Sequence, residues 1–319
     1  MIRAATADAI AEAARQLRGG GVVAFPTETV YGLGADATDA AAAARVFAIK
    51  DRPSFDPLIV HLADAADLDA VARAVPDAAR RLVARYWPGP LTVVLPRTAL
   101  IPDLVTAGLD SVAVRVPDHA VAHALLRAVG RPIAAPSANP FGYVSPTTAA
   151  HVADQLGAAV PLILDGGPCR VGLESTIVSF LAAQPALLRP GAIGLEDLEA
   201  LLGPLRIATS AALPTAPGQL PRHYAPRTPL VIVASPASVA VADRAGAALL
   251  TAGPLTDTSG YRDVFQLSPD GDLCAAAARL FGALRALDAA SYTRADVVAV
   301  PERGIGRAIM DRLRRAATR

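Results

Sequence analysis

Short apolar runs alternate with amphipathic stretches along most of this chain of 319 residues. Runs of four or five mostly apolar residues, such as Val22–Phe25 and Leu58–Leu62, are typical of buried strands, whereas Ala120–Val129 has the periodicity of a helix. Strands that alternate with helices favour an α/β fold. Some neighbouring runs are close enough to form hairpins, so we expect a mixed sheet rather than a purely parallel, doubly wound one.

The alternation stops between residues 204 and 229, where six prolines occur. Proline-rich segments without periodicity are typical of linkers. The alternation starts again at Leu230. We therefore predict a first domain over residues 1–205, a linker or lid over 206–228 and a smaller, Rossmann-like α/β domain over 229–319. The linker holds Arg222-His223-Tyr224, a polar cluster that a passive spacer does not require.

Capping residues predict where several helices begin and end. The N-terminal residues up to Arg18 are predicted to form an amphipathic helix ended by Gly19-Gly20-Gly21, a pattern unlike that of a signal peptide. Thr38 is predicted to cap a helix over Asp39–Ile49, and a further helix is predicted over Thr147–Leu156.

Charge and composition disfavour several classes of function. The formal net charge is +1 and aromatic residues make up 4% of the chain, which disfavours nucleic-acid binding through bulk charge or base stacking. No apolar run reaches the roughly 18 residues of a membrane span. Cys169 and Cys274 form no CxxC pair, so no metal site is predicted, and isolated cysteines fit a reducing cytoplasm.

Lys50 is the only lysine among thirty Lys and Arg residues. Since the chain uses Arg for every other cation, we predict that this ammonium does something that a guanidinium cannot. Lysine is a compact point charge, whereas arginine is a planar fork. No glycine-rich loop precedes Lys50, so it is not the lysine of a phosphate-binding Walker loop.

Three polar loops beside predicted strands, Phe25–Gly34, Pro136–Thr147 and Asp165–Thr176, carry hydroxyl side chains and turn-forming glycines. Cations beside hydroxyl-rich loops predict a pocket for an anionic, polyphosphate-like ligand. No general base or nucleophile stands out, so we predict catalysis by positioning and charge neutralisation. The candidate cations are Lys50, Arg52, Arg115 and Arg189.

Other interpretations of these features stay open. Gly32-x-Gly34 resembles the dinucleotide fingerprint of an oxidoreductase, although that fingerprint should directly follow its strand and open a helix. A concave basic face could instead hold double-stranded RNA by its shape. His61, inside an apolar run, has on its own the pattern of a core histidine.

Seven segments resemble, in order, motifs of the YrdC-type threonylcarbamoyl-AMP synthases. They are FPTETVYGLGADA, KDRPSFDPLIVHL, WPGPLTVVL, VAVRVPDH, PIAAPSANPFGYVSPT, LDGGPCRVGLESTIV and LLRPGAI. The resemblance covers about residues 5–205, and PGQLPRHYAP is similar to the linker motif of the longer, two-domain members. It implies an open, twisted α/β sheet with a deep positive cavity.

The resemblance also implies an activity. The family makes threonylcarbamoyl-AMP and pyrophosphate from L-threonine, bicarbonate and ATP, with Mg²⁺ accompanying ATP. Its product passes to a tRNA threonylcarbamoyl transferase complex, which forms threonylcarbamoyladenosine in tRNA. The expected location is cytoplasmic, and direct binding of tRNA stays open.

Matching positions imply roles for individual residues. Lys50 and Arg52 are the expected catalytic residues, at the phosphates. Asp56 stands where the family commonly has an amide, and Ala216-Pro217-Gly218 replaces the usual Ser-Pro-Gly. The expected L-threonine contacts are Thr29, His61, Arg115, Ala135 through its backbone, and Ser175. The expected ATP contacts are Lys50, Arg52, Asp56, Ser111, Ser137, Asn139, Ser145, Arg189 and His223.

Overall fold

The computed structural model describes residues 1–208, 216–218, 220, 223–255 and 257–318. Within these ranges the strands form two separate sheets, one from the first two thirds of the chain and one from the last third. The linker predicted over 206–228 is therefore described only in part, and Arg222 of its polar cluster lies outside the described residues.

The first sheet is large and mixed, which confirms the predicted fold class. Its strands are β1 (Ile2–Ala4), β2 (Val23–Phe25), β3 (Gly32–Asp36), β4 (Ile59–His61), β5 (Leu91–Pro96), β6 (Ser111–Arg115), β7 (Ile133–Ala134), β8 (Ile163–Asp165), β9 (Thr176–Ser179), β10 (Ala186–Arg189) and β11 (Arg206–Ile207). The order across the sheet is β1-β8-β2-β3-β7-β4-β6-β5-β9-β10-β11. Parallel β4–β6 and antiparallel β5–β6 lie side by side.

Within the described part of the chain, seven helices lie between the strands of this sheet in chain order. They are α1 (Ala7–Arg18), α2 (Ala40–Lys50), α3 (Leu68–Val71), α4 (Asp77–Tyr86), α5 (Ala120–Val129), α6 (Ala149–Leu156) and α7 (Leu195–Leu202). Short 3₁₀ turns occur at Ala65–Asp67 and Gly157–Ala159.

The second sheet is small and wholly parallel, as expected for the predicted Rossmann-like unit. Its strands are β12 (Leu230–Val233), β13 (Ala248–Thr251), β14 (Asp263–Gln266) and β15 (Ala295–Val298), in the order β12-β15-β13-β14. The accompanying helices are α8 (Leu273–Ala289) and α9 (Ile305–Ala317), with 3₁₀ turns at Pro236–Ser238 and Val241–Arg244. Among the described residues, no helix is both long and apolar enough to cross a membrane.

Three local predictions differ from the structure. The first residues form strand β1, which pairs with β8, rather than the start of the N-terminal helix. Asp39, not Thr38, caps α2, because its carboxylate accepts hydrogen bonds from two N–H groups at the positive end of the helix. Thr38 instead donates its hydroxyl to Asp36. Helix α6 begins at Ala149 and is capped by Thr148.

The core of the second sheet continues into the first part of the chain. Val30, Val144 and Leu173 belong to the same buried apolar cluster as the inner faces of α8 and α9. Gly172 has a φ of +75°, and a Cβ there would lie 2.4 Å from the Cα of Ala278 in α8. Only glycine permits this approach, so α8 is packed directly on the third polar loop.

Candidate active site

A cavity lies where the ends of β2, β4, β6, β7, β9 and β10 meet the polar loops and the linker. It encloses about 50 Å³, far less than the roughly 300–1,000 Å³ of typical ligand pockets. Part of its wall must therefore move before a nucleotide can enter. The predicted site residues that line it are Thr29, Arg52, His61, Arg115, Ala135, Ser137, Ser175, Arg189 and His223.

The other predicted site residues lie behind the wall or away from it. Ser111 begins β6 and is paired with Pro96 of β5. Asn139 donates its side-chain N–H groups to the carbonyls of Pro140 and Tyr143, at 2.8 and 2.9 Å, and so shapes the second polar loop. Lys50, Asp56 and Ser145, like Ser111 and Asn139, do not line the cavity in this structure.

Lys50 ends α2 and is buried beneath the second polar loop. Its Nζ donates to the carbonyl of Ser137 at 2.6 Å and to that of Asn139. Burial and the nearby Arg52 lower the pKa of Lys50 well below its ordinary value, against the opposing charge of Asp56. The lone lysine thus holds the loop that carries three of the predicted nucleotide contacts, Ser137, Asn139 and Ser145.

Arg52 projects into the cavity and is held from behind. Its guanidinium forms an ion pair with Asp56 at 2.9 Å and donates to the carbonyls of Asp56 and Pro57, at 3.0 and 2.8 Å. The carboxylate of Asp56 thus orients the cation. This contact accounts for a carboxylate so near the expected phosphates.

Arg115 ends β6 beside His61 of β4, its partner in register. Its guanidinium donates to the Thr29 hydroxyl at 2.8 Å and to the Gly89 carbonyl at 3.1 Å, and forms an ion pair with Glu28 at 2.6 Å. Glu28 was not among the site residues predicted from the sequence. The signal was present, because an arginine buried in a valine strand needs a charged partner.

His61 is buried against the same arginine. Its Nδ1 lies 3.2 Å from the carbonyl of Ile59, and its ring meets Phe25 edge-on. Burial and the charge of Arg115 lower the pKa of His61 to about 3, so the ring is neutral at physiological pH. Ala135 donates its backbone N–H to Ile59 at 2.9 Å, which leaves its carbonyl as the group available for a ligand.

Arg189 ends β10 and links the third loop to the linker. It donates to the Ser175 carbonyl at 2.9 and 3.1 Å and to the Ser175 hydroxyl at 3.1 Å. It also donates to the carbonyl of Pro217 at 3.1 Å. Gly218 has a φ of +80°, and a Cβ there would meet the Tyr224 hydroxyl at 2.8 Å. The linker therefore fits closely over this cation.

His223 and Tyr224 form the linker side of the cavity wall. The His223 ring lies edge-on to Phe141, and burial lowers its pKa to about 3. The Tyr224 ring stacks on Phe281 of α8, with centroids 5.6 Å apart. The linker is thus anchored on both parts of the molecule.

Glu174 lines the cavity and is, after Glu28, the second acid at the site that was not among the predicted residues. It accepts a hydrogen bond from the Ser145 hydroxyl, and its Oε2 accepts one from Arg312 of α9 at 2.9 Å. Ser145, a predicted nucleotide contact, is therefore turned toward Glu174. A partner about 140 residues away in sequence leaves no local pattern to detect.

The structure bears differently on the two alternative interpretations. Gly32 and Gly34 lie inside β3 rather than in a strand-to-helix turn, and a Cβ on Gly34 would lie 2.7 Å from the Phe25 ring. Packing thus accounts for the glycines, and the dinucleotide prediction is wrong.

The RNA-binding alternative depends on an exposed basic face. Arg115 and Arg189 are each 3% exposed. These two cations are therefore not part of an exposed basic face, and the alternative of RNA binding stays a prediction.

Comparison with known proteins agrees with this geometry. Residues 15–191 match the Sua5/YciO/YrdC family, described as telomere recombination. Residues 193–318 match the family described as threonylcarbamoyl-AMP synthase, C-terminal domain. Threonylcarbamoyl-AMP synthase of Pyrococcus abyssi is 42% identical, over 96% of this chain and 93% of its own length. That of Bacillus subtilis is 42% identical, over 97% and 92%.

A solved structure agrees over almost the whole fold. The crystal structure of P. abyssi Sua5 complexed with L-threonine is 39% identical and superposes with a TM-score of 0.92, covering 99% of this chain and 96% of that one. Both parts of the chain therefore match the same two-domain protein. The chain belongs to the Sua5/YrdC family of threonylcarbamoyl-AMP synthases.

Proposed function

We propose that the protein joins L-threonine, bicarbonate and ATP into threonylcarbamoyl-AMP and pyrophosphate, for threonylcarbamoyladenosine modification of tRNA. The observation that carries the proposal is the convergence of Arg52, Arg115 and Arg189 on one cavity. In this reaction an oxygen of carboxylated threonine attacks the α-phosphorus of ATP and displaces pyrophosphate. Both reactants and the leaving group are anionic, so positioned cations suffice and no protein nucleophile is needed.

The threonine end of the cavity is proposed to lie at Arg115. A carboxylate can approach its guanidinium beside the Thr29 hydroxyl, while Glu28 fixes the far side. A charge-assisted contact of this kind gives both affinity and orientation. A related structure holds L-threonine, which supports the assignment. The proposed threonine contacts are Thr29, His61, Arg115, Ala135 and Ser175.

The nucleotide end is proposed to lie at Arg52 and Arg189, with the phosphates nearest Lys50 and Arg52. Asp56 acts through Arg52, which it pairs with at 2.9 Å, rather than by touching an anion. The proposed nucleotide contacts are Lys50, Arg52, Ser111, Ser137, Asn139, Ser145, Arg189 and His223.

Mg²⁺ is proposed to enter as part of the ATP complex. Among the described residues, no group of three or more His, Cys, Asp and Glu side chains is placed to hold a metal ion. Bound to ATP, the ion would offset phosphate charge. The side chains of Arg52 and Arg189 supply the protein's share of that neutralisation.

We further propose that the reaction takes place in the cytoplasm, where ATP and tRNA are present. The product is a mixed anhydride that water hydrolyses readily, so it is expected to pass directly to a tRNA threonylcarbamoyl transferase complex. A cavity enlarged by movement of its wall and then covered by the linker would protect the anhydride until release.

One assay tests the synthase activity. Purified protein with Mg²⁺ and ATP is given threonine and bicarbonate together, or with each omitted in turn, and pyrophosphate and threonylcarbamoyl-AMP are measured. Both products are expected only in the complete mixture, and Arg52→Ala from a parallel preparation controls for contaminating ATPases. Pyrophosphate release that does not depend on threonine would contradict the proposal.

A further inference from the structure

Arg312 of α9 is buried in the contact between the C-terminal domain and the candidate active site. Its side chain is 0% exposed. It donates to Glu174 at 2.9 Å, to the Pro190 carbonyl at 3.0 Å and to Asp311 at 2.7 Å. Its guanidinium carbon lies 5.1 Å from the centroid of the Tyr224 ring. Arg312 therefore contacts the catalytic loops and the linker at once.

Glu174 stays ionised because of these contacts. Burial alone raises the pKa of Glu174, but the charges of Arg312 and Arg189 and the hydrogen bonds from Ser145 and Arg312 bring it below its ordinary value. The result is an anion in the wall of a cavity that is proposed to accept ATP.

An anion in this position opposes phosphate binding unless a cation neutralises it. Arg189 is close, but its N–H groups are directed to Ser175 and Pro217. Arg312 is the residue whose guanidinium forms the ion pair with Glu174. Removing one partner of a buried pair leaves the other charge uncompensated, which is more costly than losing the pair as a whole.

We propose that Arg312 is a positioning residue through which the C-terminal domain sets the affinity of the active site for ATP, an inference that rests on the proposed synthase function. It neutralises Glu174 and supports the Tyr224 ring that closes the cavity. None of the described residues of α9 lines the cavity, so the domain acts on ATP indirectly.

Three variants of the full-length protein test this role: Arg312→Met, Glu174→Gln and the double variant. Calorimetry gives the Kd of a non-hydrolysable ATP analogue and, separately, of L-threonine. We expect Arg312→Met to weaken ATP-analogue binding at least tenfold, Glu174→Gln to change it less than threefold, and the double variant to recover most of the loss. L-threonine binding should change less than threefold throughout.

The pH dependence gives a second readout. Without Arg312, burial dominates and the carboxyl of Glu174 takes up a proton more readily. Arg312→Met should therefore regain ATP affinity between pH 8 and about pH 5.5, relative to the double variant at the same pH. The other charged and titratable groups near Glu174 are present in both variants: Arg189 of β10, His223 and Tyr224 of the linker, and Asp311 of α9.

Arg285→Met is the matched control. Arg285 of α8 donates to the Val144 carbonyl and to Gln155 across the same domain contact, but its loss strands no carboxylate. ATP affinity should change less than threefold. An equal loss in Arg312→Met and the double variant, or in Arg285→Met, would overturn the proposal in favour of a purely structural role.

The design also distinguishes failure of this inference from failure of the proposed function and from misfolding of the variant. If the unaltered protein does not bind the ATP analogue, the proposed function itself fails. If Arg312→Met does not fold, Arg312→Gln, which also removes the charge, is compared with and without Glu174→Gln. The single variant must then bind the analogue more weakly than the pair, and equal affinities would refute the inference.

Discussion

Lys50 and Arg189 differ from the other two candidate cations in what holds them. Main-chain carbonyls of Ser137, Asn139, Ser175 and Pro217 accept their hydrogen bonds, so their positive charge is not cancelled. Arg52 and Arg115 are instead paired with the carboxylates of Asp56 and Glu28. At the residue scale, Arg189 therefore lines the cavity with no carboxylate partner among the described residues, whereas Lys50 lies behind the wall and acts through the loop that it holds.

Lys50→Arg should lower kcat/KM at least a hundredfold. The guanidinium is larger and flatter than the ammonium, and Nζ is buried where it donates to two carbonyls, so a fork there should displace the loop. Steady-state kinetics with ATP varied at saturating threonine and bicarbonate measures the effect. The exposed Arg45→Lys on the same helix is the control and should be near normal. Near-normal turnover of Lys50→Arg would remove the lysine from the mechanism.

Arg115→Ala should raise the KM for threonine more than the KM for ATP. Loss of a charge-assisted contact costs roughly 1.5–3 kcal/mol, or about ten- to a hundredfold. Since the change also strands Glu28, Arg115→Ala/Glu28→Gln is compared with it in the same assay. Equal effects on both substrates would move Arg115 out of the threonine site.

At the element scale, periodicity predicted most strands and helices, because burial on one face imposes it. Helix α5 was predicted at its observed bounds, Ala120–Val129. β1 was missed because three residues carry no periodicity and depend on pairing with β8, far along the chain. The same holds within the site. The candidate cations could be predicted because each is an unusual residue in its sequence context. The roles of Glu28, Glu174 and Arg312 could not, because they depend on contacts with residues that are distant in sequence.

The linker is predicted to act as a lid. It packs His223 and Tyr224 into a cavity of about 50 Å³, so ATP cannot enter unless they move. Limited proteolysis should cut the linker readily in the free protein and much more slowly with L-threonine and an ATP analogue bound, with cleavage elsewhere as internal control. The same cleavage rate under both conditions would support an inert tether.

A point variant complements this measurement. His223→Ala should weaken binding of the ATP analogue severalfold while the melting temperature stays within about 2 °C of the parent. The ring lies in the cavity wall, where it contacts Phe141 and Tyr224 edge-on. A large loss of thermal stability would show that His223 serves folding instead.

At the scale of the whole molecule, two buried histidines and one half-buried histidine, all neutral, link stability to pH. Burial lowers the pKa of His61 and of His223 to about 3, and that of His151 to about 4. The unfolded chain takes up protons near pH 6.5, which the folded chain resists. The contribution of these histidines to the free energy of unfolding is therefore fully present above pH 6.5. It is lost as the pH drops toward their folded-state pKa values.

His61→Gln should reduce this acid sensitivity. Between pH 7 and pH 5, one histidine with these pKa values accounts for about 2 kcal/mol of the fall in the free energy of unfolding. Urea unfolding at both pH values, followed by the fluorescence of Trp87, the single tryptophan, measures the difference for the first domain. His123→Gln on α5 is the control. An unchanged difference in His61→Gln would show that other groups dominate.

The shared apolar cluster of Val30, Val144 and Leu173 with α8 and α9 has a consequence during translation. The residues of the first sheet, up to Ile207, leave the ribosome before those two helices exist. At about 5–20 residues per second, the nascent first domain would wait several seconds with this apolar surface uncovered. Chaperones that bind emerging chains should therefore engage it in that interval and release it once α9 has been made.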